Sequence, residues 1–176
     1  MCNMMKKHNG FTIVELLIVI VVIGILAGIS IVAYSGISNQ ANDAAVQQDL
    51  ATIAKKVELW KVEKGQYPST NILTGEHAMN VSKSSYSTTV DLNLLFCSKP
   101  PYDTYALLAT SNSGKRFYVS SDTNVNEYTG AVSWATNNGT GTCRSILADS
   151  DAYGLTGYRR PGSAGTNPGW RPWTGS

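Results

Sequence analysis

From Thr12 to Ala33 the chain carries 22 residues and a single charge, Glu15. No other feature restricts the fold as strongly. A helix of twenty residues spans about 30 Å, the thickness of a bilayer's hydrocarbon core. The run is therefore long enough to cross a membrane. It exceeds the core of an ordinary secretory signal, roughly 7–15 residues, and no small-residue cleavage site of the A-x-A type closes it. Lys6 and Lys7 lie just before the run, and no charge follows it until Asp43. The positive-inside bias then places the N-terminus in the cytoplasm and the remainder of the chain outside. A lone carboxylate in hydrocarbon costs about 2.5–3.5 kcal/mol on insertion scales, so Glu15 needs a reason to be there.

The stretch from Lys6 to Glu15 reads KKHNGFTIVE. It resembles the class III prepilin signal of type IV pilins and of their relatives, the pseudopilins of type II secretion and the competence pilins. The matching residues are the basic pair Lys6 and Lys7, Gly10 at the leader's end, Phe11 next, and Glu15 at the fifth position after Gly10. An uninterrupted apolar run follows, and Gly24 also falls on a common family position. The family often carries Pro at the position of Val32, so a family-style Pro kink is not expected here. The resemblance in sequence covers about the first 35 residues.

This resemblance implies an integral-membrane aspartyl peptidase that cuts between Gly10 and Phe11 and N-methylates Phe11. Gly10 presents no side chain to a catalytic cleft, which suits a scissile position. A methylated secondary amine still protonates, so its positive charge persists. In the family, the terminal amine of a neighbouring subunit neutralises the carboxylate matched here by Glu15. Such pairing sets register, because a subunit at the wrong height leaves both charges unpaired in a low-dielectric medium. The bland alternative is a Glu15 that snorkels to the headgroups or is protonated. Gly24 and Gly28 form a G-x-x-x-G pair that admits close helix approach. The same glycines would also soften the helix in place of the missing Pro.

The formal charge of +2 resides in Lys6 and Lys7; without residues 1–10 the chain has 12 basic and 12 acidic residues. Composition thus gives no global argument for nucleic-acid steering. Cys2 would leave with the leader. Cys97 and Cys143 remain, and an even pair outside the cytoplasm reads as a disulfide, the alternative being two unpaired buried thiols. Closing a loop of about 47 residues would stabilise the domain by roughly 4 kcal/mol.

The expected fold is α+β, a long hydrophobic-then-amphipathic N-terminal helix packed on a small antiparallel sheet. Its parts are a leader at 1–10, a transmembrane and assembly half-helix at 11–34, and an amphipathic half at 35–64. A helix-to-sheet connection at 65–100, an antiparallel sheet with the disulfide-closed region at 101–148 and a Gly/Pro/aromatic tail at 149–176 complete it. Val46, Leu50, Ile53, Val57 and Trp60 recur at helical spacing on one face. Gly65 suits the helix C-terminus. A short helical turn is expected near Asp91–Phe96. A three-stranded meander follows at Tyr102–Thr110, Lys115–Ser121 and Val125–Trp134, with turns at 111–114 and 121–124. The last 23 residues hold six Gly and three Pro and read as an ordered loop or loose tail without a core.

Enzymatic readings find little support. His77 is the one histidine outside the leader, and no G-x-S-x-G, H-E-x-x-H or P-loop pattern appears. Asp122, Asn124 and Asn126 occupy positions one, three and five of a calcium-loop pattern. Glu127 stands where Gly is needed and Ser133 where Glu is needed, so they are weak calcium candidates. Asp149, Asp151 and Gly154 form a second broken match, and both read better as Asx turns. No metal or cofactor is called for. Arg159, Arg160 and Arg171 alternate with Tyr158, Trp170 and Trp173, a pattern that also suits nucleic acid, glycan or subunit contact.

The sequence thus favours a non-enzymatic structural subunit of a type IV pilus-like filament, serving adhesion, motility or DNA uptake. It would be a single-pass precursor in the cytoplasmic membrane and then a surface filament, made with a prepilin peptidase/methyltransferase, an assembly ATPase and an inner-membrane platform protein. The alternatives are a type II secretion pseudopilin and, from another class, a membrane-anchored binding protein that never polymerises.

Overall fold

The computed structural model describes residues 11–69, 78–132, 139–161, 169–171 and 174. The chain divides into two units, Met1–Ser38 and Asn39–Ser176. Helix α1 runs over Ile13–Lys64 and so contributes to both.

In the first unit α1 is long and apolar enough to cross a membrane. Most of its residues there are Val, Ile and Leu, many of them β-branched and only moderate helix formers. In hydrocarbon a helix satisfies every backbone group within one segment, and that outweighs propensity. In the second unit α1 is amphipathic. Val46, Leu50, Ile53 and Val57 are buried, and Trp60, the last of the stripe, is half-buried. Gly65 ends the helix with φ +78°, and its N–H donates to Lys61 O at 2.8 Å. That is the left-handed cap that glycine adopts without strain.

Five strands follow in an antiparallel sheet of order β4-β3-β2-β1-β5. They are β1 Leu94–Ser98, β2 Tyr105–Thr110, β3 Arg116–Ser120, β4 Thr123–Glu127 and β5 Tyr153–Thr156. Helix α2, Thr140–Leu147, lies between β4 and β5 in sequence, and a short ribbon pairs β6 Tyr158–Arg159 with β7 Gly169–Trp170. Strand alternation sends Leu94, Phe96, Tyr105, Leu107, Ala109, Phe117 and Val119 to the α1 face. Leu95, Cys97, Ala106 and Leu108 go to the other face, against Cys143 of α2 and Ala152. Strands β1 and β2 are therefore buried along their whole length.

Three expectations change. The segment expected as a helical turn leads instead into β1, which pairs with β2 and β5 at the centre of the sheet. The strand expected over Val125–Trp134 is β4, which starts two residues earlier, at Thr123, and ends at Glu127, and residues 133–134 lie outside those described. The segment expected as a tail supplies β5 and anchors Trp170 edge-on to Tyr86, with ring centroids 5.5 Å apart. Gly157 permits that closure: a Cβ there would sit 2.9 Å from Leu94 Cβ.

Leu50 has no exposed surface and sits in the middle of the α1 stripe. Leu50→Ala is expected to cost about 2–5 kcal/mol, read as a lower urea midpoint at unchanged m-value.

Lys99, just after β1, donates to Asp149 Oδ2 at 3.0 Å, and Asp149 Oδ1 accepts the Asp151 N–H at 2.8 Å. The Asp151 N–H first, and the Lys99 ammonium second, hold the Asp149 carboxyl below its usual range. A lowered carboxylate contributes stability that is present above its unfolded pKa and is lost as pH falls through the folded value. Acid melts should therefore show a small loss of Tm in that window, absent in Asp149→Asn.

Candidate functional site

The candidate site is the head of α1. Thr12 occupies the N-cap position and Glu15 the third helical position, a T-x-x-E capping box. The Thr12 N–H donates to Glu15 Oε2 at 2.9 Å, and Thr12 Oγ1 donates to the same oxygen at 2.8 Å. The Glu15 N–H returns a bond to Thr12 Oγ1 at 3.2 Å. Two backbone N–H groups at the helix start, those of Thr12 and Glu15, are thus satisfied within one turn. Both donors use Oε2, which leaves Oε1 for a donor from elsewhere. The carboxylate also lies at the positive end of the helix dipole. Sequence reasoning singled out Glu15 for its distance from Gly10 and passed over Thr12, although the T-x-x-E spacing signals the box.

Phe11 is 83 % exposed immediately before this turn. Gly10 and the leader lie outside the described residues. Farther along, an added Cβ at Gly24 or Gly28 would meet nothing within 4 Å, so neither glycine is needed for packing within the chain. Their missing side chains leave a shallow strip on an apolar helix. Ser30 and Ser35 hide their hydroxyls by donating back to Leu26 O at 2.8 Å and Val32 O at 2.9 Å. Such a back-bonded serine is compatible with an apolar surrounding.

In the second unit Cys97 of β1 and Cys143 of α2 are joined by a disulfide, with Cα atoms 5.3 Å apart and no exposed surface on either residue. Asp122 lies in the β3–β4 turn, and its N–H donates to Ser120 Oγ at 3.3 Å. Asn124 and Asn126 lie on the exposed edge strand β4, where Asn126 Nδ2 donates to Asn124 O at 2.8 Å. Extended backbone spreads these three along an edge, whereas a calcium loop wraps its ligands around one point. Asp149 and Asp151 form the Asx turn described above. Among the described residues no three His, Cys, Asp or Glu side chains gather as a metal site would require. His77 lies outside the described residues.

Comparison with known proteins bears on the head of α1. A family model described as the prokaryotic N-terminal methylation motif matches residues 5–31. Three similar proteins carry the name type II secretion system core protein G. The one from Klebsiella pneumoniae is 30 % identical over 66 residues, which is 38 % of this chain and 47 % of the relative. The one from Escherichia coli (strain K12) is 31 % identical over 65 residues, 37 % of this chain and 45 % of the relative. The one from Pseudomonas aeruginosa is 31 % identical over 65 residues, 37 % of this chain and 46 % of the relative. The chain thus spans about half the length of these curated relatives. No solved structure matches it. With a prepilin-type methylation motif at the head of a long helix whose second half packs on a small antiparallel sheet, the chain is similar to the type IV pilins and type II secretion pseudopilins.

Proposed function

We propose that the chain is a pseudopilin-type structural subunit, made as a membrane-inserted precursor and polymerised through α1 into a filament of a type II secretion machine. The carrying observation is Glu15, fixed in the first turn of the otherwise uncharged apolar half of α1, with one carboxylate oxygen left open. Cleavage between Gly10 and Phe11 would place a cationic, N-methylated amine on Phe11. That amine on one subunit is a fitting donor for Glu15 on the next. Gly24 and Gly28 would line the helix contacts of the assembled core.

The surface-pilus reading that came first from the sequence yields to its alternative, because the similar proteins are named for type II secretion. No enzymatic role is proposed. A groove of about 920 Å³ runs between α1 and the β3–β4 hairpin, and Ala51, Ala54, Leu59, Val62 and Val125 make much of its lining apolar. Among the described residues no histidine lines it to serve the serines there as a base.

Processing is tested by intact mass and N-terminal analysis of protein isolated from its own cells. The expected product begins at N-methyl-Phe11. A chain still beginning at Met1 in cells with an active prepilin peptidase would sink the filament reading and favour a plain membrane-anchored binding protein. If the N-terminus is processed, loss of secreted proteins on deletion would mark the secretion system, and loss of surface filaments alone would mark a pilus.

A further inference from the structure

The sheet has two ends. At one lie Ala109, Arg116, Glu127 and Thr156; at the other lie Ser98, Tyr105, Ser120, Thr123 and Tyr153. The first end gathers six cations: Lys83, Lys115, Arg116, Arg159, Arg160 and Arg171. Among the described residues the acids there are four, and each is already engaged. Asp43 accepts from Ser113 Oγ, and Asp49 accepts from the N–H and hydroxyl of Ser82. Asp91 accepts the Arg160 N–H at 2.8 Å, and Glu127 pairs with Lys115 at 3.8 Å. The remaining described cations and acids of residues 39–176 balance at six each. Among the described residues of the unit the positive excess therefore lies at this one end.

This is also the end at which the chain enters the unit. Asp43, one turn after Asn39, bonds Ser113 in the β2–β3 turn. At the far end of α1, the Tyr67 N–H donates to Tyr102 O at 2.8 Å. Only residues 34–38 separate the entry point from the end of the apolar run at Ala33. Trp170 and Tyr158 lie among the cations, with Lys83 Nζ 5.9 Å from the Trp170 ring centre. Trp170 is half-buried, with the buried Tyr158 packed against it, and a Trp beside basic side chains is a residue enriched at membrane–water interfaces.

We infer that the basic end of the globular unit docks on anionic phospholipid headgroups of the membrane that holds the precursor. This rests on the membrane-inserted precursor proposed above and is independent of which filament system the subunit serves. Docking would hold the unit against the bilayer before assembly, and extraction into a filament would have to break it. Each cation near an anionic surface contributes about a fivefold change in the docked-to-undocked ratio at moderate salt.

The test uses the full chain with Cys2→Ser and a dye on Asn112→Cys, an exposed position of the β2–β3 turn. It is reconstituted in vesicles of phosphatidylcholine alone or mixed with phosphatidylglycerol, with an energy acceptor on a headgroup. Transfer is expected to be higher in anionic vesicles, to fall in high salt, and to fall in Arg160→Ala by about fivefold in docked-to-undocked ratio. Arg160→Lys should restore it, and Lys61→Ala, at the opposite end, should leave it unchanged. Equal transfer in both lipids, an Arg160→Ala variant like wild type, or no rescue by Arg160→Lys would overturn the inference. A response to added single-stranded oligonucleotide in neutral vesicles, with none to anionic lipid, would overturn it in favour of nucleic acid. A chain that fails to float with either vesicle would instead remove the membrane-inserted precursor, and the inference with it.

Discussion

Glu15→Ala is expected to leave residues 39–176 folded and the leader still removed, while filament yield falls by roughly a hundredfold or more. Removing one member of a buried charge pair strands the other, at about 3–5 kcal/mol per contact. In the filament proposed above every subunit would make that contact, so the loss would recur along the whole length. The substitution also deletes the capping box with Thr12, worth about 1 kcal/mol of helix end stability. Glu15→Gln separates the two effects, because glutamine still completes the box but carries no charge. Filament yield in sheared fractions should be as poor for Glu15→Gln as for Glu15→Ala. A glutamine variant that assembles normally would reduce Glu15 to a helix cap and remove the charge-pairing account.

The second large effect is expected from the disulfide. Replacing both Cys97 and Cys143 with alanine frees a loop of sequence separation 46. In the chain-entropy picture this costs about 4 kcal/mol, a large part of the roughly 5–15 kcal/mol that holds a typical domain together. The cost should appear first in α2. That helix has eight residues and buries only Thr142 and Cys143, with Ile146 and Leu147 half-covered. A helix so short does not persist in water by itself. Hydrogen exchange should show α2 losing protection before β1 and β2 in the alanine pair. Uniform loss across the sheet would mean that the bond stabilises the unit as a whole and does not serve mainly to clamp α2.

Helix α1 was legible because its pattern is long and unambiguous. One half is uniformly apolar, and the other repeats Val46, Leu50, Ile53 and Val57 at helical spacing before a capping glycine. Strand β1 was not. Leu94, Leu95, Phe96 and Cys97 are all buried because α1 covers one face of the sheet and α2 the other. A strand buried on both faces loses the alternation that marks a half-exposed one, and a short Leu-rich run then fits a helical turn equally well. Helix α2 was missed for a different reason. Its sequence, TGTCRSIL, has poor intrinsic propensity, and what holds it is a covalent bond to a residue 46 positions away. Strand β5 was hidden by the glycines and prolines around it, although Tyr153–Thr156 needs only four residues to pair with β1. At the candidate site, Glu15 and Phe11 were visible from their spacing to Gly10, and the part played by Thr12 emerged from geometry.

The place of β1 between β2 and β5 has a consequence in time. Its partner Tyr105–Thr110 follows within a few residues, but its other edge waits for Tyr153–Thr156, about sixty residues later. A chain threaded N-terminus first through an export channel exposes that unfilled edge until the late segment arrives. Contacts so distant in sequence are slow to form. The interval leaves the Cys97 thiol open to an oxidant until Cys143 and then β5 close over it. In a chain exported in this way, oxidation and sheet completion would be ordered by where one strand falls in the sequence.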